Sequence, residues 1–146
     1  MNDRHLFRGK KFGMSKTPYG DGWAIGHLIE APKVGNHRSG WSIADYTANP
    51  PRILYDDVDP ATIGQCTGLK DKNGKLIFEG DIIKSTTDNE APEIYRVAFE
   101  NYRWELRCPI YDYQELNDFV NDYTVLEVIG NIHDSPDLLK FQLCRR

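Results

Sequence analysis

The stretch Ile63–Ile83, IGQCTGLKDKNGKLIFEGDII, decides the fold. Asp71-Lys72-Asn73-Gly74 is turn chemistry, because Asn and Gly accept the positive φ that a tight hairpin demands. The apolar run Lys75-Leu76-Ile77-Phe78 follows, Glu79-Gly80-Asp81 interrupts it, and Ile82-Ile83 resumes it. A glycine between two acids lets the backbone bend without a Cβ clash, so the pattern predicts strand, kink, strand.

Outward from this centre the chain reads as further short strands. Tyr102, Trp104, Leu106 and Cys108 alternate with Arg103, Glu105 and Arg107, the period of two expected for a strand with one buried and one wet face. Ile94, Tyr95, Val97 and Phe99 form the strand before it, and the brief Glu100-Asn101 connection makes the pair an antiparallel hairpin. Tyr123–Ile129 predicts a buried strand closed by Gly130-Asn131. A short helix follows, capped by Asp134 or Ser135 with Pro136 in its first turn and Leu138, Leu139 and Phe141 folding back. Toward the amino terminus, Leu6–Phe12 and Trp23–Glu30 predict a hairpin with Trp23, Ile25 and Leu28 inward, and Trp41–Ile43 a short strand. Ala31–Gly40 reads as a loop. Pro50-Pro51 forbids a central strand, Ile53–Tyr55 is an edge strand, and Asp59-Pro60-Ala61-Thr62 reads as one helical turn. Pro109–Asn121 predicts no definite element.

Four segments, the second running into the third, carry a family resemblance: Leu6–Lys11 (LFRGKK), Val58–Gln65 (VDPATIGQ), Gly64–Ile83, and Leu126–Leu139 (LEVIGNIHDSPDLL). In order and wording they resemble the YopX-like proteins of bacteriophages and prophages, over nearly the whole chain. The resemblance implies a mainly β fold with an SH3-type small β-barrel in the carboxy-terminal part, an amino-terminal β-hairpin-rich extension and a short carboxy-terminal helix. The expected division is a β-rich segment 1–60 packed on a barrel 61–146, or one continuous domain. The resemblance implies no known activity and supplies no catalytic residues.

At 146 residues the chain has the length of about one domain. Three cysteines, Cys66, Cys108 and Cys144, without a CxxC pair argue for reduced thiols rather than a disulfide framework or a zinc site. The opening MNDRHLFRGKKF has no signal-peptide core and no run has the length of a membrane span, so the expected location is the cytoplasm of a bacterial host or phage-infected cell. Residues 1–50 carry seven Lys/Arg against four Asp/Glu, and residues 51–146 carry eleven against eighteen, so a +3 segment precedes a −7 one within a total of −4. The acidic part repels phosphate backbones, which leaves only the amino-terminal Arg4, Arg8, Lys10, Lys11 and Lys16 as candidates for nucleic-acid binding.

Among chemical motifs, GxGxxG, GxxxxGK[ST] and GxSxG do not occur, and His5, His27, His37 and His133 have no metal-ligand spacing. Asp71, Glu79 and Asp81 lie close in sequence, but each has a structural role to play at a turn or kink. Aromatic residues make up 12% of the chain, and core packing takes up most of them. Tyr95, Phe99, Tyr102, Trp104, Tyr111 and Tyr113 are the candidates for a contact surface. The leading expectation is a non-enzymatic, protein-binding module with an unknown protein partner or a second copy of itself, no membrane and no cofactor. The alternatives are single-stranded nucleic-acid binding through the basic set, and a metal-dependent hydrolase built on Glu79 and Asp81.

Overall fold

The computed structural model describes residues 3–12, 22–30, 40–45, 54–88, 90–108, 114–116 and 124–140. Ala31–Glu90 is thus covered in part, whereas Lys16, most of the 31–40 loop, Tyr111, Tyr113 and Phe141 lie outside the described residues. The described chain is mainly β. It holds a 3-10 turn (Asp3–His5), ten strands and one helix of four residues, α1 (Asp137–Lys140). The strands are β1 (Phe7–Lys11), β2 (Trp23–Glu30), β3 (Trp41–Asp45), β4 (Leu54–Lys70), β5 (Leu76–Phe78), β6 (Asp81–Thr87), β7 (Glu93–Glu100), β8 (Arg103–Arg107), β9 (Gln114–Glu115) and β10 (Thr124–Asn131). The chain divides into two compact units, Met1–Cys66 and Thr67–Arg146. No described helix is long and apolar enough to cross a membrane.

In the first unit β1 pairs with β2, β2 with β3, β3 with β4, and β4 back with β1, all antiparallel. The pairings therefore run in a ring around a core of Ala24, Ile43 and Val58, against which Phe7, Leu28, Trp41 and Ile63 pack. The expected β1–β2 hairpin pairing is present, but its inward residues differ. Ala24 and Gly26 are buried while Ile25 is exposed. A ring this tight brings strands into close approach, and only small side chains fit: a Cβ on Gly26 would stand 2.1 Å from the Ala44 carbonyl oxygen.

Residues 59–62 do not form a helical turn. They lie within β4, in a bulge where the register shifts between the pairs Arg8↔Gly64 and Lys10↔Asp59. The local capping chemistry read from the sequence is nonetheless present: the Ala61 amide donates to Asp59 Oδ1 (3.0 Å) and the Thr62 hydroxyl to the Asp59 carbonyl (2.6 Å). The Lys10 amide then donates to Thr62 Oγ1 at 2.8 Å, so the bulge satisfies a donor that β1 would otherwise leave open. Pro60, with no N–H to contribute, is tolerated there for the reason prolines generally collect at bulges.

The second unit opens on the central stretch, and its turns follow the sequence reading. Asp71 and Lys75 close the hairpin between β4 and β5 through an Asp71 amide to Lys75 carbonyl bond of 2.8 Å, with Gly74 at φ 78°. Gly80, at φ 87°, makes the kink before β6. A five-stranded antiparallel sheet in the order β10-β6-β7-β8-β9 follows. Its core is Ile77, Ile83, Tyr95, Val97, Leu106, Cys108, Leu116 and Leu126. The expected helix exists as α1, with Leu138 set over Gly130 so closely that a Cβ there would lie 2.9 Å from its Cδ1. Cys66 is a buried thiol outside any disulfide, whereas Cys108 is disulfide-bonded, which corrects the expectation of three reduced thiols. Spacing along the chain carries no information on which sulfurs a fold brings together.

Candidate functional site

Among the described residues of the second unit, the exposed aromatic side chains, Phe99 and Tyr102, lie on the β7–β8 hairpin. Its register runs from Arg96↔Arg107 through Val97↔Leu106, Ala98↔Glu105 and Phe99↔Trp104 to Glu100↔Arg103. Alternation then puts Tyr95, Val97 and Phe99 on one face with Trp104, Leu106 and Cys108. Tyr95, Val97 and Leu106 are in the core, but the same stripe leaves it toward the turn: Phe99 is 47% exposed and meets Trp104 edge-on, with ring centroids 5.0 Å apart.

The turn itself is Asn101-Tyr102, one residue later than the sequence indicated, and both residues have positive φ, 53° and 63°. Two left-handed residues between antiparallel strands give the twist a two-residue hairpin needs. Asn tolerates that conformation; a Cβ-bearing ring does not, at about 1–2 kcal/mol per residue. Tyr102 is nonetheless there, 99% exposed. It was expected on a strand with its ring turned to the buried face. Replacing it with the residue the backbone prefers should therefore stabilise the fold. Tyr102→Gly is expected to gain roughly 1 kcal/mol, less the entropy that glycine adds to the unfolded chain, read from the urea midpoint. A lower midpoint would mean that the ring has a packing role in the monomer.

On the opposite face the hairpin carries charge. Glu105, expected on the wet side of β8, is completely buried. Arg103 Nε reaches its Oε1 at 3.0 Å, Arg107 Nη2 its Oε2 at 2.9 Å, and the Asn101 side-chain amide donates to Oε1 at 3.3 Å. Burial pushes the Glu105 carboxyl up, but these donors, Arg103 first, outweigh it and hold the group below the ordinary carboxylate range. Arg107 also pairs with Glu100, which Arg96 approaches at 3.8 Å. Alternation marks a position as facing away from the core, yet it cannot show that flanking arginines will cover it.

The other sequence-derived candidates fare unevenly. Tyr95 is buried and its hydroxyl bonds Glu93, so it leaves the surface set. In the basic set Arg4 is exposed, but Arg8 is buried with its guanidinium 4.8 Å from the Trp23 ring centroid, and Lys11 pairs with Asp56 at 3.8 Å. Arg8 therefore offers no surface to a phosphate backbone. Asp71 accepts the amides of Asn73, Lys75 and Val128, and Asp81 accepts that of Phe78 at 2.8 Å. Both carboxylates thus serve backbone donors at a turn and a kink, as their positions suggested. His5 and His27, far apart in sequence, stack with centroids 5.1 Å apart, an association that spacing gave no sign of.

The profile of the YopX protein family matches residues 27–140. Among solved structures, the crystal structure of YopX from Bacillus subtilis is similar at a TM-score of 0.55 and 19% identity, over 93% of this chain and 98% of that one. A protein from Enterococcus faecalis is 22% identical over 92% of this chain and 96% of its own, with a TM-score of 0.46. No curated protein sequence matches the chain.

Proposed function

The chain belongs to the YopX family, and we propose on that premise that it is a non-enzymatic, protein-binding module whose contact point is the tip of the β7–β8 hairpin. One observation carries the reading: a tyrosine, 99% exposed, occupies a left-handed turn position that glycine would hold at lower energy. Backbone strain that persists without a packing return is most often retained for contact with something else. Phe99 and Trp104 beside it extend the apolar surface, and Tyr and Trp are the residue types that dominate binding energy at protein interfaces.

The finer architecture belongs to the same proposal. We read the second unit as an SH3-type barrel. The Lys72 amide donates to the Leu126 carbonyl at 2.9 Å and the Val128 amide to Asp71 at 3.0 Å, so the hairpin between β4 and β5 covers the open edge of β10. Closing edges in this way is what small barrels achieve.

Affinity capture from bacterial cells with the wild-type chain and with Tyr102→Gly tests the function. A protein recovered by the first and depleted at least roughly tenfold by the second is expected, that being the loss of an aromatic hot spot. Equal recovery by both would remove the hairpin tip from the reading.

The phage-type setting rests on the resemblance and the cytoplasmic location on the pattern of three separated cysteines, and the Cys108 disulfide weighs against the latter, since disulfides persist mainly in oxidising compartments. Acid-quenched alkylation of intact cells, read by mass spectrometry, tests the location. In a cytoplasmic protein Cys108 is expected to be alkylated; a blocked Cys108 would put the chain outside the reducing cytosol.

A further inference from the structure

We propose that the partner of the β7–β8 hairpin tip is a second copy of the same chain, the two tips meeting about a two-fold axis. The inference rests on the protein-binding reading above and gives it an occupant.

A two-fold contact has to be self-complementary, because the same patch supplies both sides. The tip satisfies that condition in shape and in charge. Tyr102 projects from the turn, 99% exposed, and Phe99 with Trp104 offers an apolar edge beside it that a second projecting ring can cover. Glu100 and Arg103 sit directly across the hairpin from one another at the base of the turn. A two-fold axis normal to the plane of the hairpin brings the carboxylate of one copy toward the guanidinium of the other, and the reverse. Their side chains are 43% and 35% exposed. Glu100 already takes Arg96 and Arg107, and Arg103 holds Glu105. A carboxylate offers about four acceptor positions, so a contact across the axis adds to these pairs rather than replacing them.

Charge also favours a copy over a strongly acidic or basic partner. The chain as a whole carries −4, which opposes self-association. The hairpin does not share that excess, since Arg96, Arg103 and Arg107 stand against Glu93, Glu100 and Glu105 and leave it neutral. A partner of one sign would repel part of this mixed rim, whereas a rotated copy matches it.

The size of the patch sets the expected strength. An aromatic side chain buries roughly 150–250 Å² when fully covered, and two of the three are partly covered already. The area per copy is then about half of the ~800 Å² of a standard interface, which places the dimer in the weak, concentration-dependent class.

Sedimentation equilibrium of the full chain over a wide concentration range tests the inference. The mass is expected to rise from one chain toward two. Tyr102→Gly should weaken association at least roughly tenfold without lowering the urea midpoint, the loss of a central aromatic. Glu100→Arg alone should weaken it, and Glu100→Arg combined with Arg103→Glu should restore it, provided the melting curves of both show a folded chain. A wild-type chain that stays monomeric throughout, or a Tyr102→Gly dimer as tight as the wild type, would overturn the proposal. A photo-crosslinking amino acid at position 102 separates this failure from failure of the reading beneath it. Adducts with a different protein in cell extract, from a chain that is monomeric when pure, sink self-association and leave protein binding standing. No adduct in either setting removes both.

Discussion

Gly26→Ala is expected to unfold the ring of strands in the first unit or leave it barely stable. The added Cβ would stand 2.1 Å from the Ala44 carbonyl oxygen and 2.9 Å from its carbon, and Ile43 Cγ2 lies at 3.2 Å. The first two atoms are backbone, and no rotamer change relieves them. Relief requires β2 to move away from β3 at the position where His27 pairs with Ala44 and Leu28 with Ile43. Ile43 is fully buried in the small core, so the movement also opens the packing of Ala24 and Val58. Overpacking in ordinary cores costs about 1–3 kcal/mol, and a clash against backbone belongs at or beyond the upper end. The loss should exceed roughly 3 kcal/mol, a fall in the melting temperature of about 10 °C or more. Hydrogen exchange should locate it in β1, β2 and β3. Gly74→Ala is the control: its Cβ would meet nothing within 4 Å, and only its φ of 78° is at issue. That variant should lose about 1 kcal/mol. If the two substitutions cost the same, close approach at Gly26 is not what the glycine is for.

The contrast explains what was legible in the sequence and what was not. The turn at Asp71–Gly74, the kink at Gly80 and the hairpin of β7 and β8 were readable because Asn-Gly, an acid-flanked glycine and a period of two are local signals of local geometry. The inward face of β2 was misread because hydrophobicity favours Ile25, while the ring of strands requires the small Ala24 and Gly26 at the points of closest approach. Residues 59–62 had the cap and proline of a helix start, and the Asp59 cap does form, but long-range pairing of β4 with β1 kept the chain extended on either side. The candidate site shows the same division. Aromatic content pointed to Tyr102 and Trp104, yet the turn carries no glycine, so Tyr102 was read as a strand residue rather than the tip. Tyr95 and Arg8 looked like surface residues and are buried. Which members of an aromatic or basic set face outward depends on register, and register is a property of pairs of strands.

The second large effect is expected at Asp71, the first residue of the hairpin. Its Oδ1 accepts the Asn73 amide at 2.8 Å and the Lys75 amide at 2.9 Å, and its Oδ2 accepts the Val128 amide on β10 at 3.0 Å. One side chain thus shapes the turn and ties it to a strand 57 residues away. Lys72 adds a second tie at the same place, with its amide on the Leu126 carbonyl and its ammonium 2.6 Å from Glu127. Asp71→Ala leaves three amides without their acceptor, and the expected cost is about 2–4 kcal/mol given that a buried donor left open loses roughly 1–3 kcal/mol and the turn amides can be reached by water. Asp71→Asn keeps one oxygen and should lose less. The pH dependence distinguishes the carboxylate from a mere spacer. Burial pushes the Asp71 carboxyl up, but the amides of Val128, Lys75 and Asn73, with the Lys75 charge, outweigh it and hold the group below its ordinary 3.8. A carboxyl held low in the folded state contributes its stability in full above the unfolded value and loses it as pH falls through the folded one. The wild-type chain should therefore lose stability as pH drops below about 4, and part of that slope should be missing in Asp71→Asn. Glu105, held low by its arginines, contributes a slope of the same sign and remains in the variant. Urea midpoints measured from neutral pH downward for the two chains check this. Parallel curves would show that the three amides are satisfied without the charge, and that the turn depends on the shape of the Asp71 side chain alone.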